Sequence, residues 1–340
     1  MKIHVVFASL LVVVVAMASF IPGRAQEASA NAAEQAPYNY AQAATQNWAG
    51  GNPLKIALLK WYQANLTTGF VVGGSNGEPY GVAFDGENIW TANQGANSVS
   101  KVRASDGALL GTFPVGSGPI GVVFDGANIW ATNENGNTVT KLRASDGKVL
   151  GNFTVGNAPY WPAFDGENIW VPNFVDGTVS KVRASDGKVL GTFKTGGSAI
   201  AAAFDGRDVW ITNNGQNTVS RLAENGSTLA TYKVGSQPIG VAFDGANIWV
   251  ANDSDGTVTK LRASDGKTLG TFSAPGSPYG LAFDGTNIWV ATGALVELRP
   301  TDGKILGYFN AGASTGVAFD GANIWVALGF ASGKYNLLKF

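Results

Sequence analysis

Seven copies of one short pattern divide this chain, and their spacing limits what it can fold into more than any other feature. The first copy reads Phe84-Asp85-Gly86-Glu87-Asn88-Ile89-Trp90. The Asp-Gly step returns at Asp125, Asp165, Asp205, Asp244, Asp284 and Asp320, at intervals of 40, 40, 40, 39, 40 and 36 residues. Each copy ends in a tryptophan: Trp90, Trp130, Trp170, Trp210, Trp249, Trp289 and Trp325. A fixed period of this size marks a repeat architecture, in which each unit buries its apolar face only by stacking on its neighbours.

One unit is legible between Pro119 and Gly156. Pro119–Phe124 reads as a strand, Asp125–Asn128 as a tight hairpin loop, and Ile129–Asn133 as a second strand. A polar loop, Glu134–Asn137, leads to a third strand at Thr138–Ala144. Ser145-Asp146-Gly147 then turns the chain into a fourth strand, Val149–Val155. Four short antiparallel strands per period make the blade of a β-propeller. The ends set the count. After Trp325 only a third strand remains before the chain stops, whereas Thr68–Gly73 matches a fourth strand that has no first three before it. The N-terminal strand is therefore expected to complete the last blade. That closes an all-β, seven-bladed propeller of four-stranded blades over 66–340 and leaves no exposed sheet edge at the join.

The segment before it differs in composition. Lys2, the apolar run Val5–Ile21 and Gly23-Arg24-Ala25 form a secretory signal over 1–25. The rival reading is an uncleaved anchor, since 17 apolar residues sit at the lower edge of a membrane span. Residues 26–51, rich in Ala, Gln and Asn, read as a flexible leader. Asn52-Pro53 then starts a short helix over 52–65, whose Leu54, Ala57, Leu58, Trp61 and Tyr62 share a face that would pack on the propeller. The chain is expected to be exported to the periplasm or beyond the cell, to have no membrane span once the signal is removed, and to be a monomer.

Composition narrows the chemistry. Loss of Lys2 and Arg24 with the signal leaves 21 basic against 24 acidic residues, a net charge of −3 with no strongly basic region, so no nucleic-acid footprint is indicated. There are no cysteines, and the one histidine, His4, lies in the signal. Neither a Ser-His-Asp nor a Cys-His catalytic set can therefore be assembled from the mature chain.

The units Gly-Val-Ala-Phe-Asp-Gly-x-Asn-Ile-Trp-Val-Ala-Asn and Thr-Val-x-Lys-Leu-Arg-Ala-Ser-Asp-Gly-Lys-x-Leu-Gly-Thr-Phe resemble the YVTN-type repeats of YncE-like secreted propellers. They are also similar to the repeats of the virginiamycin B (streptogramin) lyase family. The resemblance covers about Leu66–Phe340 and implies a seven-bladed propeller. The lyase family would further imply a catalytic histidine with nearby acids and a magnesium ion, and no position of the mature chain supplies that histidine.

Most repeated residues read as scaffold. The seven tryptophans sit in apolar runs and are expected between blades. The invariant Asp of Phe-Asp-Gly is expected to accept N–H groups of its own hairpin. Asp106, Asp146, Asp186, Asp265 and Asp302 occupy a turn that Asn225 also serves, so turn chemistry rather than charge explains them. Lys101, Arg103, Lys141, Arg143, Lys181 and Arg183 on third strands read as a solvated or salt-bridged flank. Two motif matches fail on context. Gly116-Ser117-Gly118-Pro119-Ile120-Gly121 spells a dinucleotide fingerprint but leads into a strand, and Asp253-Ser254-Asp255-Gly256 lacks the later glutamate of a calcium loop.

A site is expected where the copies disagree. The Phe-Asp-Gly hairpins and Ser-Asp-Gly turns open on one face and are nearly identical. The loops between second and third strands, and the connections between blades, open on the other face and vary. That face surrounds one mouth of the central channel. Asn93, Asn133, Asn173, Asn213 and Asn252 end five second strands there and form either a partial polar ring or loop caps. The third unit breaks pattern with Tyr160-Trp161-Pro162, followed by Phe174. With Tyr80 and Tyr279 at positions equivalent to Tyr160, these make either an aromatic ligand patch or a local repacking around a tryptophan. The expectation is a non-catalytic propeller that needs no cofactor and binds a protein partner or small ligand on this face. The enzyme alternatives are a streptogramin-type lyase and a metal-dependent lactonase, which would use scattered carboxylates such as Glu78, Glu134, Asp176 and Asp253.

Overall fold

The structure, a computed structural model, describes residues 68–312, 314–329 and 336–340. The expected signal peptide, leader and helix over 1–65 lie outside the described residues. From Thr68 onward the strands form seven four-stranded antiparallel sheets, the blades of a β-propeller. Blade 1 shows the unit, with strands at Pro79–Phe84, Asn88–Asn93, Ser98–Arg103 and Leu109–Pro114. The first strand lines the axis and the fourth is outermost, with Leu109 and Leu110 exposed. Glycine is required on the inner strands because adjacent blades nearly touch there. A Cβ at Gly81 would stand 2.7 Å from the Ile120 carbonyl oxygen, and one at Gly240 would stand 2.1 Å from that of Tyr279.

Closure follows the sequence expectation. Thr68–Phe70 pairs with Leu337–Lys339, in register Thr68 to Lys339 and Phe70 to Leu337. Leu337–Lys339 pairs in turn with Ile324–Ala327, and that strand with Val317–Phe319. The last blade thus holds both ends of the described chain.

The apolar core lies between blades. Trp90 of blade 1 packs with Ile129, Ala131 and Leu142 of blade 2, and Trp130 repeats the arrangement with Ile169, Val171 and Val182 of blade 3. Six of the seven repeat tryptophans are fully buried, Trp289 being the exception. Burying such a side chain contributes roughly 4–6 kcal/mol before the entropy of ordering is subtracted.

The repeated motif is also one hydrogen-bonded unit. Asp85 Oδ1 accepts the backbone N–H groups of Glu87 and Asn88, closing the hairpin. Its Oδ2 accepts the indole N–H of Trp90 at 2.7 Å. The same indole-to-carboxylate bond recurs in the other six blades, between 2.6 and 2.8 Å. Burial pushes Asp125, Asp165, Asp244 and Asp320 up, but the tryptophan and backbone donors outweigh it and hold these carboxyls below the usual carboxylate range. The fixed five-residue spacing from Asp to Trp thus has a physical cause. The hairpin that the carboxylate closes also fixes the edge of the ring that packs on the next blade.

The reading of the third-strand lysines as a solvated flank is corrected. Lys101, Lys141 and Lys181 are buried. Each ammonium lies 5.1–5.4 Å from the centroid of its own blade's tryptophan. Lys101 donates to the Ala144 carbonyl of the next blade, Lys141 to that of Ala184, and Lys181 to that of Glu224. Lys260 reaches Pro300, and Lys339 reaches Ala104 across the closure. The third strand is sandwiched between blades, so a long alkyl stem and a cationic tip suit it. The arginines two residues on do behave as expected: Arg103, Arg143 and Arg183 are exposed partners of Asp106, Asp146 and Asp186.

Candidate functional site

The inner strands enclose an axial cavity of about 170 Å³, lined from all seven blades by residues that include Gly81, Val122, Trp161, Ala201, Gly240, Gly280 and Gly316. Trp161 is the one large side chain at a position that elsewhere holds glycine or alanine. It enters because blade 3 departs from the pattern. Pro162 has no N–H to offer the ladder, so the inner strand of this blade shrinks to Ala163–Phe164. Upstream of it, Trp161 pairs with Ala201 of blade 4 in a parallel bridge. The Trp161 N–H donates to the Ile200 carbonyl, the Ala202 N–H donates to that of Trp161, and the Tyr160 N–H donates to Pro172. Two blades therefore hold the Tyr160-Trp161 backbone.

The approach is set from blade 2. Asn137 has a left-handed backbone, φ 54°, and its Oδ1 accepts the N–H of Ala158, itself at φ 52°. Asn97 and Asn217 do the same for Gly118 and Gln237. Among the described residues, every non-glycine residue with positive φ lies on this variable face: Glu78, Asn97, Asn137, Ala158, Asn217 and Gln237. The hairpin face meets the same need with glycine.

The aromatic side chains that the sequence singled out come together. Tyr160 and Trp161 meet edge to face at 6.0 Å and 89°, Trp161 and Tyr279 at 5.8 Å and 84°, and Tyr160 lies 5.4 Å from Phe174. Ile200, Ala201 and Ile239 pack beneath them. Tyr80 lies within electrostatic reach of Tyr279 and Tyr160. Glu134, partly buried, accepts the Tyr160 hydroxyl at 3.0 Å and the Gln94 amide at 2.7 Å. Gln94 was missed from the sequence. The available signal was position: the residue after each strand-ending asparagine reaches toward the next blade, as Glu134, Phe174 and Asn214 also do.

The five asparagines go elsewhere. Asn93, Asn133, Asn173, Asn213 and Asn252 have no exposed surface. Their amide N–H groups donate within the blade, Asn93 to Ser98 and Ser100, Asn173 to Thr178 and Ser180. The same pair of bonds recurs at Asn133, Asn213 and Asn252. They brace the loop between second and third strands and offer a ligand no surface.

Burial and nearby carboxylates act together on the tyrosines at the mouth. Burial, then Tyr279, Glu78 and Glu134, push the Tyr80 phenol up to about 12. Burial and then Glu134 raise Tyr160 further, and burial, Asp253 and Glu134 raise Tyr279. A phenol raised in the folded chain contributes stability that is complete below the ordinary value near 10. That contribution is lost as pH climbs from about 10 to about 12. At about pH 11 the folded chain should therefore show less phenolate absorbance than the urea-unfolded chain. Tyr80→Phe should lower only the unfolded signal. Equal phenolate in both states would contradict this electrostatic picture.

Among the described residues no group of three or more His, Cys, Asp or Glu gathers closely enough to hold a metal ion. Glu78, Glu134, Asp176 and Asp253 do not form the clustered oxygen set a hard cation needs, and no chemical step is routed through one. Among the described residues no helix is long and apolar enough to cross a membrane.

The family described as outer membrane protein assembly factor BamB (PQQ_2) matches residues 80–305. A streptogramin B lyase structure is similar at a TM-score of 0.70 and 19% identity, covering 81% of this chain and 96% of that one. A catalytically inactive virginiamycin B lyase from Staphylococcus aureus, solved with quinupristin, gives 0.69 and 19%, covering 81% and 98%. Hydrazine synthase from Kuenenia stuttgartiensis gives 0.70 and 16%, covering 80% and 98%. No curated protein matches the chain. At such identities the structural likenesses speak for the fold, which hosts unrelated activities.

Proposed function

The chain belongs to the family described as outer membrane protein assembly factor BamB, and from that premise we propose that it is an exported, non-catalytic propeller whose variable face binds a protein partner or small ligand at the channel mouth. One observation carries the reading. Blade 3, whose inner strand departs from the repeat, carries Tyr160 and Trp161 beside the axial cavity, and backbone bonds within blade 3 and to blade 4 hold them there. Blade 6 has the matching bonds, Tyr279 to Ala291 and Gly280 to Thr315, so the scaffold supplies the rigidity a ligand site needs, and blade 3 adds an indole where the other blades carry glycine or alanine. The family description names a factor that works on outer membrane proteins, which agrees with the signal sequence read at 1–25.

The lyase alternative draws on likeness of fold. It lacks a histidine at every position after His4, so the base that its family would supply has no counterpart. The test is photo-crosslinking in cells that export the chain. A benzophenone amino acid at exposed Val175 or Ser254 should give discrete adducts, and one at exposed Ala127 or Thr286 on the hairpin face should not. Adducts from the hairpin face alone would reverse the assignment. Turnover of a streptogramin B antibiotic that disappears in Glu134→Gln, with or without added magnesium, would end the non-catalytic reading.

A further inference from the structure

The chemistry at the mouth names a class of ligand. Three kinds of group converge there. Aromatic rings stand at right angles, since Trp161 meets both Tyr160 and Tyr279 edge to face, at 89° and 84°. Perpendicular rings make a corner, and a compact, rounded group can touch two ring faces in it. A flat ring or sugar would instead want one open face. Carboxylates lie beside the rings: Glu134 is bonded to the Tyr160 hydroxyl, and Asp253 acts on Tyr279. Below them the axial cavity of about 170 Å³ has the bulk of five or six waters.

Basic groups are absent from the described loops around the mouth. Among the described residues, lysines and arginines serve the latches between blades, the Ser-Asp-Gly turns, one hairpin at Arg207, and the ends of outer strands at Lys194 and Lys233. None stands on the loops around the mouth. Among the described residues of these loops an anion would find no cationic side chain and would face the carboxylates of Glu134 and Asp253. A cation would meet those carboxylates and the ring faces as attractive partners, because the ring quadrupole and the carboxylates act in the same direction.

We propose that Tyr160, Trp161, Phe174 and Tyr279, with Glu134 and Asp253 beside them, form a cup over the axial cavity that binds an organic ammonium group. The inference rests on the proposed use of the variable face and adds the ligand's chemistry to it. The ammonium can belong to a free small molecule or to a lysine side chain on a partner, and the two sources are separable by experiment.

The full mature chain, labelled with ¹⁵N at its tryptophan indoles, is titrated with three probes. Choline chloride carries a quaternary ammonium. 3,3-Dimethyl-1-butanol has the same shape without the charge. Nα-acetyl-lysine methylamide presents a primary ammonium as a peptide would. Saturable movement of the Trp161 indole resonance is expected with at least one cation, and binding at least tenfold weaker with the neutral alcohol. Trp161→Ala should weaken the cation at least tenfold. Glu134→Gln, at a partly exposed position that leaves the ring packing in place, should weaken it severalfold with an unchanged melting point, and this variant decides the matter if Trp161→Ala folds poorly. Tighter choline than lysine amide points to a free quaternary amine, and the reverse order to a partner's lysine. The proposal is overturned if the alcohol binds as well as choline, if both cations leave the Trp161 resonance unmoved, or if Glu134→Gln binds both undiminished. Crosslinks that persist on the variable face beside any of those results would sink the ammonium ligand and leave the face. Crosslinks confined to the hairpin face would sink the face itself.

Discussion

Deleting Leu337–Phe340 is expected to lower the melting midpoint by at least about 10 °C and to broaden the transition. The strand is the third of the last blade, and it carries two ladders at once, one to Ile324–Ala327 and one to Thr68–Phe70. Its loss strips Thr68–Phe70 of its paired partner as well. Leu337 is fully buried with Trp325, Ile89 and Val102, so truncation of that side chain alone would cost about 2–5 kcal/mol. Lys339 goes too, and with it the ammonium that lies over Trp325 and bonds the Ala104 carbonyl of blade 1. The ring then opens between its last blade and its first, exposing edges that pair with other chains. Thermal unfolding followed by circular dichroism, with limited proteolysis near Phe70, checks this. An unchanged midpoint would mean that the two ends do not close the propeller.

The second large effect is expected in blade 4. Six blades carry asparagine just after the hairpin, at Asn88, Asn128, Asn168, Asn247, Asn287 and Asn323, whereas blade 4 carries Asp208. The latch position, lysine in five blades, is Arg221 in blade 4 and Glu297 in blade 6. The two changes in blade 4 are coupled. Arg221 donates through Nε to Asp208 Oδ2 at 2.7 Å, with its Nη2 at 2.6 Å from the same oxygen, and both side chains are almost wholly buried. Its guanidinium still lies over Trp210 and still reaches the next blade, at the Ser264 carbonyl.

Breaking one side of such a pair strands a buried charge. Asp208→Ala or Arg221→Met should therefore each cost about 3–5 kcal/mol. Asp208→Asn with Arg221→Lys rewrites the blade to the arrangement its neighbours use, and the double variant should return to within about 1 kcal/mol of the parent. Chemical denaturation of the parent, Asp208→Asn, Arg221→Lys and the double variant makes the cycle. Additive losses, or a double variant as unstable as the singles, would show that the pair is not a unit.

The same contrast shows how far sequence reasoning reaches. The seven hairpins, the turn aspartates and the closing strand were legible because each is specified by residues close together in the chain. A Phe-Asp-Gly-x-Asn hairpin closes on its own carboxylate, and a strand that lacks its neighbours at one end of the chain must find them at the other. The aromatic departure at Tyr160-Trp161-Pro162 was legible too, as a break in an otherwise regular pattern. Lys101 and its equivalents were misread because alternation along a strand says which side a residue faces but not what stands there. Blade stacking puts a tryptophan and a neighbour's carbonyl on that side.

The asparagines show the limit from the other direction. Their spacing put Asn93, Asn133, Asn173, Asn213 and Asn252 at strand ends near the mouth, where a polar ring and a set of loop caps looked alike. The choice depended on hydroxyls five and seven residues on, brought alongside by the pairing of second and third strands. Periodicity was thus enough to set the blade count, the closure and the face on which to look. Only the stacking of blades decided that Pro162 would release the inner strand, that Trp161 would pair with blade 4, and that Phe174 and Tyr279 would join it around Glu134. Those contacts link residues from 14 to more than 100 positions apart. They follow from the angle at which blades meet on the axis, a quantity that no single repeat encodes.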